Sequence, residues 1–223
     1  MAFSWRIVLL LAGAYLLGSI PFGLIVSRLK GIDIRKHGSG NLGATNVGRV
    51  LGRKWGVLVF VLDAGKGALA SLGAAAFLDC DRKPWLDAPV HGDLILLGAG
   101  LACLIGNIAP FYLGFRGGKG VAVSMGVIFG VYPYLTVPGV VAAVTWAVVM
   151  KVSGYVSLGS IAAACSLPIA FLGAAWAFSY SLTDHYPLFC LCLGVAMLVL
   201  IRHRANIHRL LTGTESKVGQ HRS

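Results

Sequence analysis

The sequence predicts an all-α, polytopic integral membrane bundle of about seven transmembrane helices, on three observations: composition, the length of the apolar runs and the placement of basic residues. Of 223 residues, 57% are hydrophobic and only 12% charged, whereas about a quarter of a soluble domain is charged. The apolar residues gather into runs long enough, at ~1.5 Å per residue, to cross a hydrocarbon layer of ~30 Å. In lipid these runs have to be helical. An open strand would leave N–H and C=O groups unpaired, and the runs lack the alternation of a barrel wall.

The first run, 7–28, follows Arg6 and contains Ala12-Gly13-Ala14, which imitates a secretory signal. It stays apolar through Val26, longer than a signal core, and six further runs follow, so it is expected to be retained. The second and third helices are expected at 55–78 and 93–112. The fourth and fifth, 121–132 and 137–150, are short, with Pro133 and Pro138 bracketing the turn between them, so a five-helix count that merges the pair stays open. The sixth and seventh are expected at 157–179 and 187–201. Gly13, Gly18, Gly23, Gly65, Gly67, Gly98 and Gly100 lie in these helices, where small residues let backbones approach.

The basic residues set the orientation. With the N-terminus outside and the C-terminus cytoplasmic, the inner segments hold fifteen Lys or Arg and the outer ones three, Arg6, Arg82 and Lys83. The outer loop 79–93 holds four of the eight acidic residues. A net charge of +11 would suggest nucleic acid in a soluble protein, but here the charge belongs to the membrane interface, and no nucleic-acid partner is expected. Cys80, Cys103, Cys165, Cys190 and Cys192 include no C-x-x-C pair, and neither zinc nor disulfides are expected. No internal repeat or soluble portion stands out, so residues 1–223 are taken as one transmembrane domain with polar segments at 31–54, 114–122 and 202–215.

The first segment reads G-I-D-I-R-K-H-G-S-G-N-L-G-A-T-N-V-G-R over 31–49. Glycines such as Gly38 and Gly40 let several N–H groups turn toward one centre, while Ser39, Asn41, Thr45 and Asn46 donate without bulk and Arg49 adds charge. This composition is an anion cradle, although a solvated loop touching anionic lipid has the same ingredients. The second segment, G-F-R-G-G-K-G-V-A over 114–122, is a glycine turn opening a helix. Gly117, Gly118 and Gly120 would offer free N–H groups at a positive dipole end, and Lys119 a full charge. It is not a Walker A loop, since Gly120 stands where Ser or Thr is required and no strand leads in. A tight turn with two snorkelling basic residues is its plainer reading. The third, R-H-R-A-N-I-H-R over 202–209, puts His203, Asn206 and Ile207 on one helical side; standing alone it would be a surface anchor.

Asp63 and Lys66, three apart in the second run, form an i,i+3 pair that lowers the cost of two charges in lipid. A structural ion pair is the first reading, at a depth of about three turns that sets it apart from the loops. There is no carboxylate cluster, G-x-S-x-G elbow, H-E-x-x-H, or histidine five positions before an aspartate. Neither metal, nor cofactor, nor a serine-nucleophile hydrolase is expected. The segments suit two phosphates. A membrane transporter for a phosphorylated small solute is the alternative, and a structural protein recruiting anionic lipid a third.

Together, G-S-G-N-x-G-A-T-N, G-F-R-G-G-K-G-V-A and R-H-R-x-N-I-x-R-L-L-x-G-x-E closely resemble the bacterial PlsY family of acyl-phosphate:glycerol-3-phosphate acyltransferases, along nearly the whole chain. The resemblance implies transfer of a fatty acyl group from acyl phosphate to the sn-1 hydroxyl of glycerol 3-phosphate, giving lysophosphatidic acid and inorganic phosphate, an early step of phospholipid biosynthesis. It implies Ser39, Thr45, Asn46 and Ser160 as contacts of the donor phosphate, and Arg49, Lys119, His203 and Asn206 as contacts of glycerol 3-phosphate. It implies a multi-pass protein of the bacterial inner membrane, in contact with membrane lipids and functionally linked to an enzyme that makes acyl phosphate; a monomer is expected. The chain departs from the family at Asn107, where histidine is common, and at Val123, where threonine is usual.

Overall fold

The computed structural model describes residues 5–77 and 90–217, all helical apart from short turns and loops. The first apolar run is two helices, α1 (Trp5–Ser19) and α2 (Phe22–Leu29), rather than one. The break falls at Pro21, which has no N–H and cannot continue the ladder. Leu24 N–H bonds Pro21 O (2.9 Å) instead of Ile20 O, which accepts from Phe22 N at 3.2 Å in the turn. After α3 (Ala44–Leu51) come the long helices α4 (Arg53–Phe77) and α5 (Val90–Ile108). The expected outer loop with Arg82, Lys83 and Cys80 lies outside the described residues.

α6 (Val121–Gly130) is ten residues, about 15 Å, half of the hydrocarbon thickness. The turn at 131–135 extends its reach: the Tyr134 ring lies 4.1 Å from His185 and 4.9 Å from Tyr180, both at the end remote from the basic loops. There His185 Nδ1 also meets Asp93 Oδ2 at 2.8 Å, both side chains buried. α7 (Thr136–Ser153) is full-length, so the fourth and fifth runs stay separate and only the fourth is short. α8 (Val156–Ala177) and α9 (Tyr186–Arg202) complete the bundle, and α10 (Arg204–Leu211) leaves α9 at a 59° bend. Among the described residues five spans, α1 and α2 together forming the first, are long and apolar enough to cross a membrane, or six if the bent α9–α10 pair counts as one; the seven expected runs exceed this because α6 is too short.

Close backbone crossings hold the bundle at the site. On α6, a methyl group at Gly126 would lie 1.8 Å from Ala64 O of α4, and one at Gly67 of α4 would lie 2.2 Å from Val123 O. No side chain fits there, so α6 lies directly on α4. Gly13 and Gly65, expected to pack likewise, face open space. Val123 is buried in the core cluster with Val127 and Leu191, a packing position.

Candidate active site

The loop between α2 and α3 is organised by Asn46. Buried on α3, its Oδ1 accepts from Ser39 N (2.9 Å), and its Nδ2 donates to His37 O (3.1 Å), Asn41 O (3.0 Å) and Ile34 O (3.5 Å). A side-chain amide has two N–H groups to offer a phosphate, and here both are committed to the loop. Asn46 is therefore a scaffold rather than the expected free phosphate donor. Gly38 makes room for it: φ is +59°, and a methyl group would lie 2.3 Å from Asn46 Oδ1. Asn41 Oδ1 accepts from Gly43 N (2.8 Å), and Gly40 N donates to His37 O (3.0 Å), so both are engaged in the turn. Asp33 caps the short turn Ile34–Lys36 and pairs with Arg35 at 2.6 Å, which holds its carboxyl far below the usual range. Ser39, Thr45 and Arg49 are exposed and hydrogen-bond through their side chains to nothing among the described residues. They are the groups this loop presents.

The glycine turn also departs from expectation. Gly117 N donates to Ile108 O (3.0 Å) and Gly118 N to Asn107 O (2.9 Å). These amides satisfy carbonyls that the end of α5 leaves open, and are not available to a phosphate. Their own carbonyls accept from Arg202 Nη2, at 3.2 Å and 3.1 Å. Gly120, with φ +82°, opens α6; the amides of that first turn have no partner within the helix.

Between the capped turn and the α9–α10 corner lies a partly buried polar chain. Lys119 Nζ donates to Asn206 Oδ1 at 2.5 Å. Asn206 Nδ2 donates to Glu215 Oε1 (2.6 Å), which also accepts from Ser157 Oγ (2.8 Å), while Glu215 Oε2 accepts from Arg209 Nε (2.6 Å). Burial opposes the Glu215 charge, but bonds from Asn206, Ser157 and Arg209 outweigh it and hold its pKa below the ordinary 4.5. Burial pushes the Lys119 ammonium down to about 8; Glu215 pulls the other way, and Arg209, Arg202 and Arg49 add repulsion. The ammonium stands among three guanidinium groups, a field suited to a doubly charged anion.

His203, at the corner beyond α9, has Nδ1 2.8 Å from Val199 O. Burial and the neighbouring Lys119 charge push its pKa down to about 4, so the ring is neutral near pH 7. With Nδ1–H donating to the carbonyl, Nε2 is an acceptor. It would receive a hydroxyl proton in a hydrogen bond rather than pair with a phosphate. Ser160 stands apart from the polar chain, its hydroxyl donating to Val156 O (2.9 Å). It lines an apolar recess among α6, α7, α8 and α9 with Ser124, Phe129, Trp146, Leu167 and Val199. The recess adjoins the corner through Val199, whose carbonyl holds His203.

Asp63 and Lys66 form the expected pair at 2.9 Å, but not apart from the loops. Lys66 Nζ also donates to Ile20 O (2.9 Å) at the α1–α2 break and to Oδ1 of Asn107 (2.8 Å), whose main-chain carbonyl caps the glycine turn. Depth measured along α4 misleads because α5 ends well before the start of α4 is reached. Sequence reasoning gave no individual role to Arg202, Ser157, Arg209 or Glu215. The signal was a lone acid six residues after Arg209 in a basic tail.

The sequence profile of the glycerol-3-phosphate acyltransferase family matches residues 8–213. Curated relatives of that description include one from Aquifex aeolicus, 41% identical over 92% of this chain and 95% of its own, and one from Zymomonas mobilis, 43% identical over 98% and 99%. Crystal structures of PlsY, an integral membrane glycerol 3-phosphate acyltransferase, in glycerol 3-phosphate and lysophosphatidic acid forms superpose with TM-scores of 0.80 and 0.79; each is 38% identical and covers 96% of both chains. With likeness of this extent in both sequence and fold, the chain belongs to the PlsY-type glycerol-3-phosphate acyltransferase family and is a multi-pass integral membrane enzyme.

Proposed function

We propose that this acyltransferase moves a fatty acyl group from acyl phosphate to the sn-1 hydroxyl of glycerol 3-phosphate at the cytoplasmic face of a bacterial inner membrane, releasing lysophosphatidic acid and inorganic phosphate. One observation carries the assignment: the basic cluster around Lys119 adjoins an apolar recess through the His203 corner. An acyl chain fits the recess, and two phosphates fit the basic end.

In this reading Lys119, steadied by Asn206, and Arg49 hold the acceptor phosphate, and the Ser39 and Thr45 hydroxyls face the donor phosphate. The acceptor hydroxyl oxygen attacks the acyl carbon, the carbon–oxygen bond to phosphate breaks, and the hydroxyl proton passes to a phosphate oxygen. Acyl phosphate is already activated, so no protein nucleophile is needed. The enzyme supplies proximity and a field for the developing charge, and neutral His203 orients the hydroxyl. Segments 31–54, 114–122 and 202–215 act as one site.

The test is turnover by purified protein given acyl phosphate and glycerol 3-phosphate. Stoichiometric phosphate and lysophosphatidic acid are expected. Absence of both products, with uptake of glycerol 3-phosphate by reconstituted vesicles, would instead establish the transporter.

A further inference from the structure

The Lys66 ammonium is held by groups from three elements: Asp63 of its own helix at 2.9 Å, Ile20 O at the α1–α2 break at 2.9 Å, and Asn107 Oδ1 near the end of α5 at 2.8 Å. Lys66 is buried, so these bonds persist without competition from water, and a charge at this depth is costly enough that its partners are strongly retained. Asn107 then works on both faces. Its Oδ1 is fixed by Lys66, its main-chain carbonyl caps Gly118 N at 2.9 Å, and its Nδ2 lies 3.0 Å from where a methyl group on Gly118 would stand. All three nearest atoms to that imagined methyl belong to the Asn107 side chain. The amide is thus a spacer between a charge anchored in the membrane and the residue preceding Lys119. The far side of the turn is clamped by Arg202 on the Gly117 and Gly118 carbonyls.

We propose that Lys66 and Asn107, with Asp63 neutralising the charge, are positioning residues that set the height of the Gly117–Gly118 turn and hence the place of the Lys119 ammonium. The proposal rests on Lys119 being the acceptor-phosphate contact. None of the three touches substrate. Their effect is a displacement of Lys119, and a shift of the order of 1 Å in a binding group can cost up to about a hundredfold in rate.

The test uses the full chain in detergent with acyl phosphate and glycerol 3-phosphate. Asn107→Ala removes the spacer, Gly118→Ala pushes against it, and the double variant does both. Each single change should raise KM for glycerol 3-phosphate about tenfold or more, with KM for acyl phosphate and the elution profile unchanged. In the double variant the added methyl has no amide to strike, so its effect should fall well short of the sum of the singles. Asp63→Asn with Lys66→Met, which removes both charges together and avoids an orphaned ion, should raise the same KM and serves where Asn107→Ala yields no folded protein. Unchanged KM for glycerol 3-phosphate in the folded variants, or strictly additive effects at 107 and 118, would overturn the positioning role. Lys119→Ala is measured beside them. If it keeps wild-type turnover, the acceptor-phosphate assignment itself falls; if it is inactive while the 107 and 118 variants are normal, only the spacer falls.

Discussion

Lys119 and Asn206, 87 positions apart, meet at 2.5 Å, and the amide that receives the ammonium is held in turn by Glu215 at 2.6 Å. The glycine turn and the C-terminal helix are thereby one structure. Asn206 can serve Lys119 with its oxygen only because Glu215 fixes which way the amide faces.

Lys119→Ala should lower kcat/KM by about a hundredfold or more, with an elution profile like the parent protein. Single-turnover and steady-state assays of phosphate release decide it. Near-normal turnover would remove Lys119 from the mechanism.

The wild-type enzyme should lose affinity for glycerol 3-phosphate as pH rises through about 8, where the free Lys119 ammonium deprotonates. Burial depresses this pKa, so the charged form is complete below that value and declines above it; a bound phosphate raises it again. KM for glycerol 3-phosphate measured on either side of pH 8 should climb on the alkaline side. Glu215→Gln removes the carboxylate whose charge favours the ammonium, so the climb should begin at lower pH.

Glu215 also makes the tail's attachment sensitive to acid. Its folded pKa lies below 4.5, so its stabilising contribution is complete above 4.5 and disappears as pH falls through the lower, folded value. The melting temperature in detergent should therefore fall on acidification through that window, and Glu215→Gln should flatten this limb while lowering the plateau.

Asn46→Ala strands Ser39 N and three carbonyls that now have a partner. A cost of about 1–3 kcal/mol is expected for buried groups left unpaired, with loss of activity because Ser39 is no longer held. Asn46→Asp should be worse despite near-identical shape, since it turns an oxygen toward carbonyls that need a donor. Thermal unfolding of both variants checks the order.

Ala163→Phe, on the wall of the apolar recess, should shift preference toward shorter acyl phosphates with little change in KM for glycerol 3-phosphate. A uniform loss across chain lengths would place the acyl chain elsewhere.

Membrane class and the basic character of the polar segments were legible in the sequence because they follow from composition, run length and charge placement. What was not legible is which polar atoms are already engaged. Asn46, Gly117 and Gly118 carry the right chemistry for a phosphate, yet each satisfies the chain's own backbone, and spacing alone cannot distinguish the two uses. The break at Pro21 was hidden because an apolar run continues across it, and the Ile20 carbonyl at that break meets Lys66, 46 positions away. Lys66 shows the same limit in depth: rise per residue gives height along one helix, but not where its neighbours end.

The 59° bend between α9 and α10 has a kinetic consequence. α9 is apolar and α10 carries Arg204, His208 and Arg209, so the corner at His203 marks a phase boundary. In the proposed reaction glycerol 3-phosphate arrives by three-dimensional diffusion and acyl phosphate by diffusion in a plane. The rate should follow the surface mole fraction of acyl phosphate, so that diluting it with inert detergent or lipid at constant bulk concentration slows the enzyme as removing substrate would.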